Sequence, residues 1–269
     1  RLDALARRCR LSFGVDSPEA ARNTGALLGR ATRAAVEVLI EVDSGHHRSG
    51  ATANSVVGIA EAVTGSGLHL SGVFTFPGHS YTPGGAGSAA ADETAALVGA
   101  ARILEDAGFD VPRRSGGSTP SALLADRNGL TEARPGVYVF GDAQQLELER
   151  IGVDDIALSV AGTVVSRHES EPRRVILDSG SKILGGDRPA WATGYGRLLD
   201  HPEARITALS EHHATVTWPD GDPLPELGAR LRVVPNHVCL VPNLVDDVWV
   251  CDEGAVVDRW SVAARGRNY

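Results

Sequence analysis

The sequence predicts an α/β first part, read as an α/β barrel or a parallel sheet, followed by a mostly β second part. Three observations carry this expectation. Apolar, β-branched runs alternate with helical stretches up to about residue 155. Polar and glycine-rich clusters collect just after the ends of those runs, where parallel α/β folds place their functional groups. Beyond that point strand-like runs follow one another with few helical stretches between them. The expected domains are therefore 1–155 and 156–269.

The elements follow in order. Leu2 to Arg10 reads as a helix and Leu11 to Val15 as a strand. Ser17-Pro18-Glu19 has the form of a helix start: a capping hydroxyl, a proline in the first turn and an early acid. Val36 to Val42 is a buried strand running into Asp43-Ser44-Gly45, and Ala51 to Val63 is a helix. Leu68 to Phe76 is a strand ending in Pro77-Gly78-His79-Ser80-Tyr81, and Ala89 to Ala107 is a long helix. Phe109 to Arg113 is a strand feeding Ser115-Gly116-Gly117-Ser118-Thr119-Pro120-Ser121, with Ser121 to Ala125 helical after it. Val137 to Phe140 is a further strand. In the second part, strands are expected over Ile156–Ser166, Arg174–Leu177, Arg205–Leu209, Ala214–Trp218, Ala229–Val234 and Asp247–Cys251.

With 269 residues, 42% of them hydrophobic, the chain can bury one large core or two moderate ones. A net charge of -8, the absence of a basic run and 5% aromatic content argue against a nucleic-acid surface. No apolar run approaches the ~18 residues of a membrane span. Cys9, Cys239 and Cys251 are odd in number and lack framework spacing, which suggests a reducing, cytoplasmic setting. Lys182 is the only lysine. The sequence starts at Arg1 and holds no methionine, so a segment upstream of Arg1 is expected.

Several clusters have chemical potential. The Gly116-Gly117-Ser118-Thr119 run pairs flexible backbone with hydroxyl donors ahead of a helix start, which is either a phosphate cradle or an ordinary strand-to-helix turn. His237 and Cys239 are two apart, on one face if the segment is a strand. They are either two ligands of an open metal site or a core cysteine beside a hydrogen-bonded histidine. Arg48, at the tip of 41–50, could bind a carboxylate or phenolate, or lie on a solvated loop. His79 and Tyr81 follow a strand, where an active site would be; Tyr138 could hydrogen-bond a ligand or pack. Glu211-His212-His213 is a loop or a further site segment.

Taken together, EVDSGHHRSG (41–50), FPGHSY (76–81), SGGSTPS (115–121), EARPGVYVFGD (132–142), LDSGSK (177–182), LSEHHA (209–214) and PNHVC (235–239) resemble the fold-type III pyridoxal-phosphate enzymes. The nearest group is the D-threonine aldolase and D-serine dehydratase family, with the alanine racemases more distant. The resemblance implies part of a (β/α)8 TIM-type barrel of the alanine racemase kind, its first strands upstream, followed by a mostly β domain. It implies that Gly116, Gly117, Ser118 and Thr119 help hold the cofactor phosphate, that Arg48 lies near the ring and that Tyr138 lies near the phosphate or ring. His79 and Tyr81 would line the catalytic site. His237 and Cys239 would bind a divalent metal, zinc or manganese, beside the substrate. The family's Schiff-base lysine lies upstream of the matched segments, and Lys182 matches a different lysine. The implied activity is a lyase on a D-β-hydroxy amino acid. Dehydratase members carry His-x-Cys and characterised aldolases carry His-x-Asp, so Cys239 favours a D-serine dehydratase-like reaction over aldol cleavage. A non-catalytic cofactor-binding role is the remaining alternative. A homodimer is implied by analogy.

Overall fold

Ser17 caps the helix that follows the first strand. Its Oγ accepts the Ala20 N–H at 3.2 Å, and Pro18 sits in the first turn, where a missing N–H costs nothing. The computed structural model describes residues 2–168 and 170–268. The chain divides into two compact units, one ending at Gly136 and the other starting at Val137.

In the first unit, helix α1 (Leu2–Ala6) leads into β1 (Leu11–Val15). Helices α2 (Pro18–Leu27) and α3 (Arg30–Ala35) connect β1 to β2 (Val36–Glu41). Helix α4 (Val56–Gly65) connects β2 to β3 (His69–Phe74), and α5 (Ala86–Asp106) connects β3 to β4 (Arg113–Gly116); β5 (Glu132–Ala133) closes the sheet. All four pairings are parallel and the strand order is β1-β2-β3-β4-β5. The order never reverses, as in a barrel wall and unlike a doubly wound sheet. Val36, Val38 and Ile40 are fully buried in one cluster with Ile59 and Val63 of α4 and Leu97 and Leu104 of α5. The inner face of α5 runs through Ala86, Ala90, Glu93, Leu97, Ala101 and Leu104 at helical spacing. Glu93 is the one carboxylate on it.

Two local devices shape the sheet. Gly72 has φ +149°, and a side chain there would collide with the Arg113 carbonyl of the adjoining strand. Asp43, at the end of β2, accepts the Gly45 N–H at 2.9 Å and the His47 N–H at 3.0 Å, and its other oxygen meets His47 Nδ1 at 2.6 Å. That carboxylate ties down a loop in which Gly45, His47 and Gly50 all have positive φ.

Several local expectations give way to the structure. The first helix ends at Ala6, and α4 starts at Val56 after a 3-10 turn over Ala53–Ser55. The fourth strand is Arg113–Gly116, later than the expected 109–113, so Ser115 and Gly116 at the start of the glycine-serine run are themselves strand. Ser121 to Ala125 forms turns, with no helix start. Ser118 and Ser121 bond each other's N–H groups there at 3.2 Å, and Leu123, 94% exposed, has no core to face. Val137–Val139 is a 3-10 turn, not a strand: the Phe140 and Gly141 N–H groups both return to the Val137 carbonyl, at 3.1 and 2.9 Å.

The second unit is a closed antiparallel barrel in the order β10-β7-β6-β11-β8-β9. Its strands are β6 (Val160–His168), β7 (Glu171–Leu177), β8 (Gly196–Leu198), β9 (His201–Leu209), β10 (Ala214–Thr217) and β11 (Arg230–Pro235). Closure leaves no free edge. The interior is filled by Val175, Leu177, Ile206, Val216, Trp218 and Val233. Short helices α6 (Ala143–Glu147), α7 (Ser181–Leu184) and α8 (Leu240–Leu244) surround it, and β12 (Asp247–Asp252) pairs with β13 (Ala255–Ser261) as a separate hairpin. The units divide ahead of the expected 155/156 boundary because α6 is tied to the barrel's chain: the Gln144 N–H donates to the Asn236 carbonyl at 3.3 Å. Among the described residues, no helix is long and apolar enough to cross a membrane.

Gly72→Ala should destabilise the protein by about 2 kcal/mol or more through this collision, and an unchanged urea midpoint would refute the close approach. Asp43→Asn should cost about 2 kcal/mol near neutral pH. Burial raises the Asp43 pKa, but the hydrogen bonds from Gly45 and His47 outweigh it and bring the value down to about 2. The stabilisation is therefore present above the unfolded-state value near ~4 and lost as pH falls through about 2. Unfolding measured at about pH 7 and about pH 3 should show the gap between parent and variant shrink by roughly half; a pH-independent gap would contradict it.

Candidate cofactor loops and metal pair

Because β2 to β5 are parallel, the loops at their C-terminal ends leave the sheet at one edge. Backbone and side chains knit these loops together. Thr75 Oγ1 donates to Ser44 Oγ at 2.9 Å, joining the loops after β2 and β3. The Ser80 and Ser118 hydroxyls meet at 2.7 Å, joining the loops after β3 and β4, and Ser118 Oγ also meets Ser121 Oγ at 2.8 Å. Ser80, Ser118 and Ser121 are all buried.

Phe76 organises the residues around the β2 and β3 loops. The Arg48 guanidinium lies 5.2 Å from its ring centroid, the His46 ring meets it edge-on at 5.7 Å, and Tyr81 lies tilted at 6.4 Å. Burial, and then the charges of Arg48 and His79, hold the His46 pKa below its ordinary value. His79 Nε2 meets Asp92 Oδ2 at 3.3 Å, and its buried Nδ1 has no hydrogen-bond partner among the described residues. Arg48, His79, Tyr81 and the Gly116–Thr119 run thus belong to one edge of the sheet. Tyr138 lies in the second unit, on the 3-10 turn, 62% exposed.

The glycine-serine run is not a simple amide cradle. The Gly117 N–H donates to Glu93 Oε1, and the Ser118 N–H to Ser121 Oγ at 3.2 Å. A side chain at Gly116 would collide with the Glu93 carboxylate, and Gly117 has φ +95°. At this edge the half-buried Thr119 hydroxyl and the cations of Arg48 and Arg134 are the kinds of group that suit a phosphate. This donor set fits a phosphate ester through hydroxyl and guanidinium groups more than through loop amides. Arg134 was not singled out in the sequence, although its segment was. Its Nε donates to Ser115 Oγ at 2.8 Å, its Nη2 to the Thr75 carbonyl at 2.5 Å, and it lies 5.5 Å from the Phe74 ring centroid.

Glu93 was missed as well. It is fully buried, burial raises its pKa, and its Oε2 has no hydrogen-bond partner among the described residues. An acid in the otherwise apolar stripe of α5 was the signal that could have found it.

In the second unit, His237 and Cys239 lie in the turn between β11 and α8, with Cys239 at the helix cap. They do not share a strand face, yet the turn brings their side chains into hydrogen-bonding contact. That bond, and the one from Asp187 against the opposing effect of burial, raise the His237 pKa to about 9. A nitrogen and a sulfur donor suit zinc better than manganese, which prefers oxygen ligands, and a metal would have to displace the proton held there. Among the described residues no group of three or more histidine, cysteine and acidic side chains could hold a metal. Asp187, which meets His237 Nδ1 at 2.7 Å, carried no sequence signal. Lys182 is in an exposed ion pair with Glu211 at 2.8 Å.

Comparison with known proteins gives these two halves separate counterparts. Residues 1–144 match the family model "Alanine racemase, N-terminal domain", and residues 157–251 match "Putative serine dehydratase domain". The D-threo-3-hydroxyaspartate dehydratase of Delftia sp. is 37% identical over 255 residues, covering 87% of this chain and 67% of the relative. Its solved structure superposes with a TM-score of 0.85 at 34% identity, covering 97% of this chain and 74% of that one. The D-threonine aldolase structure from Filomicrobium marinum gives 0.80 at 26% identity, covering 100% and 74%. The barrel wall of the first unit is thus that of the alanine racemase-like fold, and this chain belongs to the fold-type III pyridoxal-phosphate family that joins an alanine racemase N-terminal domain to a D-serine dehydratase-like domain.

Proposed function

We propose that this chain serves a pyridoxal-phosphate- and divalent-metal-dependent lyase that dehydrates a D-β-hydroxy amino acid, in the manner of a D-serine dehydratase. The observation that carries the reading is the turn between β11 and α8, which sets a histidine and a cysteine two residues apart with the His237 ring held on Asp187 at 2.7 Å. Its support is the resemblance to the Delftia dehydratase, one variant of which is described in a metal-free form. When bound, the cofactor supplies an electron sink at the substrate α-carbon and the metal a Lewis acid for the β-hydroxyl.

The chain's own residues have more limited tasks. Thr119, with Ser118, Gly116 and Gly117 shaping its loop, and the Arg48 and Arg134 cations neutralise and orient the phosphate and ring oxygens. Tyr138 is assigned to the cofactor by the family resemblance alone. His79 carries a buried ring nitrogen, without a hydrogen-bond partner among the described residues, that can hold or pass a proton, and Tyr81 shares its 3-10 turn. His237 and Cys239 hold the metal. Retro-aldol cleavage to glycine and an aldehyde is the second reading, favoured by 30% identity over 273 residues to the D-threonine aldolase of Arthrobacter.

The test uses the complete enzyme with zinc or manganese and D-serine, D-threo-3-hydroxyaspartate or D-threonine. Ammonia with a keto acid is expected; glycine with an aldehyde would select the second reading. His237→Ala and Cys239→Ala should each lower turnover by at least ~10-fold, the scale on which metal-site shells act, with the cofactor's visible absorbance retained. Full activity after exhaustive chelation would remove the metal from the reaction. Borohydride reduction and peptide mapping should leave Lys182 unlabelled; an adduct there would move the cofactor to the second unit.

A further inference from the structure

Residues 236–239 form an irregular turn between β11 and α8, and three other stretches of the second unit converge on it. The first is the cap of α6. Asp142 is 1% exposed, and its carboxylate does two jobs: it accepts the Gln145 N–H at 3.0 Å to cap the helix, and the Val238 N–H at 3.1 Å. A cap needs only one carboxylate oxygen. The second reaches the residue between the two metal-ligand candidates. Val238 itself is buried, while His237 is half-buried and Cys239 exposed. Holding Val238 inward turns its two neighbours outward.

The second and third stretches meet through Asn236, 3% exposed. Its Nδ2 donates to the Asp187 carbonyl at 3.1 Å and to the Gly194 carbonyl at 2.7 Å. The backbone of Asp187 is thereby fixed against the turn, and its side chain meets His237 Nδ1 at 2.7 Å. A carboxylate on one ring nitrogen sets the tautomer and leaves the other nitrogen as the donor to a metal.

We infer that Asp142, Asn236 and Asp187 are positioning residues that hold the His237-x-Cys239 turn in a metal-ready shape, with Asp187 orienting the His237 ring. This rests on the metal-dependent reading above, and it assigns the affinity of the site to groups outside the ligand pair. Loop ligands held in place by buried hydrogen bonds lose less freedom when the metal arrives.

Chelator competition on the complete enzyme, with Zn2+ and with Mn2+, tests it, and Co2+ substitution adds the thiolate-to-cobalt absorption band as a signature of Cys239 ligation. Asp187 is the informative position, because its side chain is 48% exposed and its loss leaves the barrel core intact. Asp187→Ala should weaken metal binding ~10–100-fold with an unchanged melting point of the metal-free protein, and Asp187→Asn, which still accepts from the ring, should recover part of the loss. Asp142→Asn, which keeps one acceptor oxygen and loses the other, should weaken binding and broaden the cobalt band. Unchanged affinity in Asp187→Ala, in a parent that binds one metal through His237, overturns the inference and leaves the functional reading standing. A parent that binds neither metal overturns both.

Discussion

Because β1 to β5 run parallel and in chain order, every loop that leaves a strand's C-terminus emerges at the same edge of the first unit. The chemistry-bearing residues of this half depend on that constraint. Arg48 follows β2, His79 and Tyr81 follow β3, Gly116 to Thr119 end and follow β4, and Arg134 follows β5. They are far apart in sequence and adjacent by topology. The hydrogen bonds between loops, Thr75 to Ser44 and Ser80 to Ser118, then hold that edge as one surface.

Among the described residues, Glu93 and Asp142 are the two buried carboxylates, and their fates differ. Glu93 and Asp142 are both almost fully covered, and burial raises the pKa of each, that of Asp142 to about 6. Asp142 uses both oxygens as acceptors of backbone N–H groups, and its burial is compensated locally. Glu93 uses one oxygen, for the Gly117 N–H, and leaves the other unmatched. Burial pushes the Glu93 pKa upward, against the lowering effect of the Gly117 N–H and of Arg134 and His79. Half-buried Glu147 pairs instead with the buried Arg197 guanidinium, so that opposite charges meet.

Legibility varied with the range of the forces involved. The strand over 36–41, the Ser17 cap and most barrel strands of the second unit were visible, because burial pattern and capping chemistry are local. The strand end at Gly116, the turns after Ser121 and the 3-10 turn at Val137 were not, because each is decided by hydrogen bonds to partners that propensity does not see. The short strands at Glu132–Ala133 and Gly196–Leu198 offered too few residues for a period, and Ala255–Ser261 is exposed along its whole length. In the site, residue types that are rare and reactive stood out, such as His237 and Cys239. Arg134 and Asp187 did not, since arginine and aspartate are common surface residues until a fold assigns them a partner.

What the sequence by itself determined was the two-part organisation, the family and the identities of most candidate ligands, since periodicity and short motifs are written in the order of residues. Only the tertiary structure decided that Glu93 occupies the Gly117 amide, that the Ser80 and Ser118 hydroxyls meet, and that Asp142 bonds the Val238 N–H and Asp187 the His237 ring. Those facts depend on atoms tens of residues apart coming within hydrogen-bond distance, and a directional, short-range interaction leaves no trace in a sequence until the chain has folded around it.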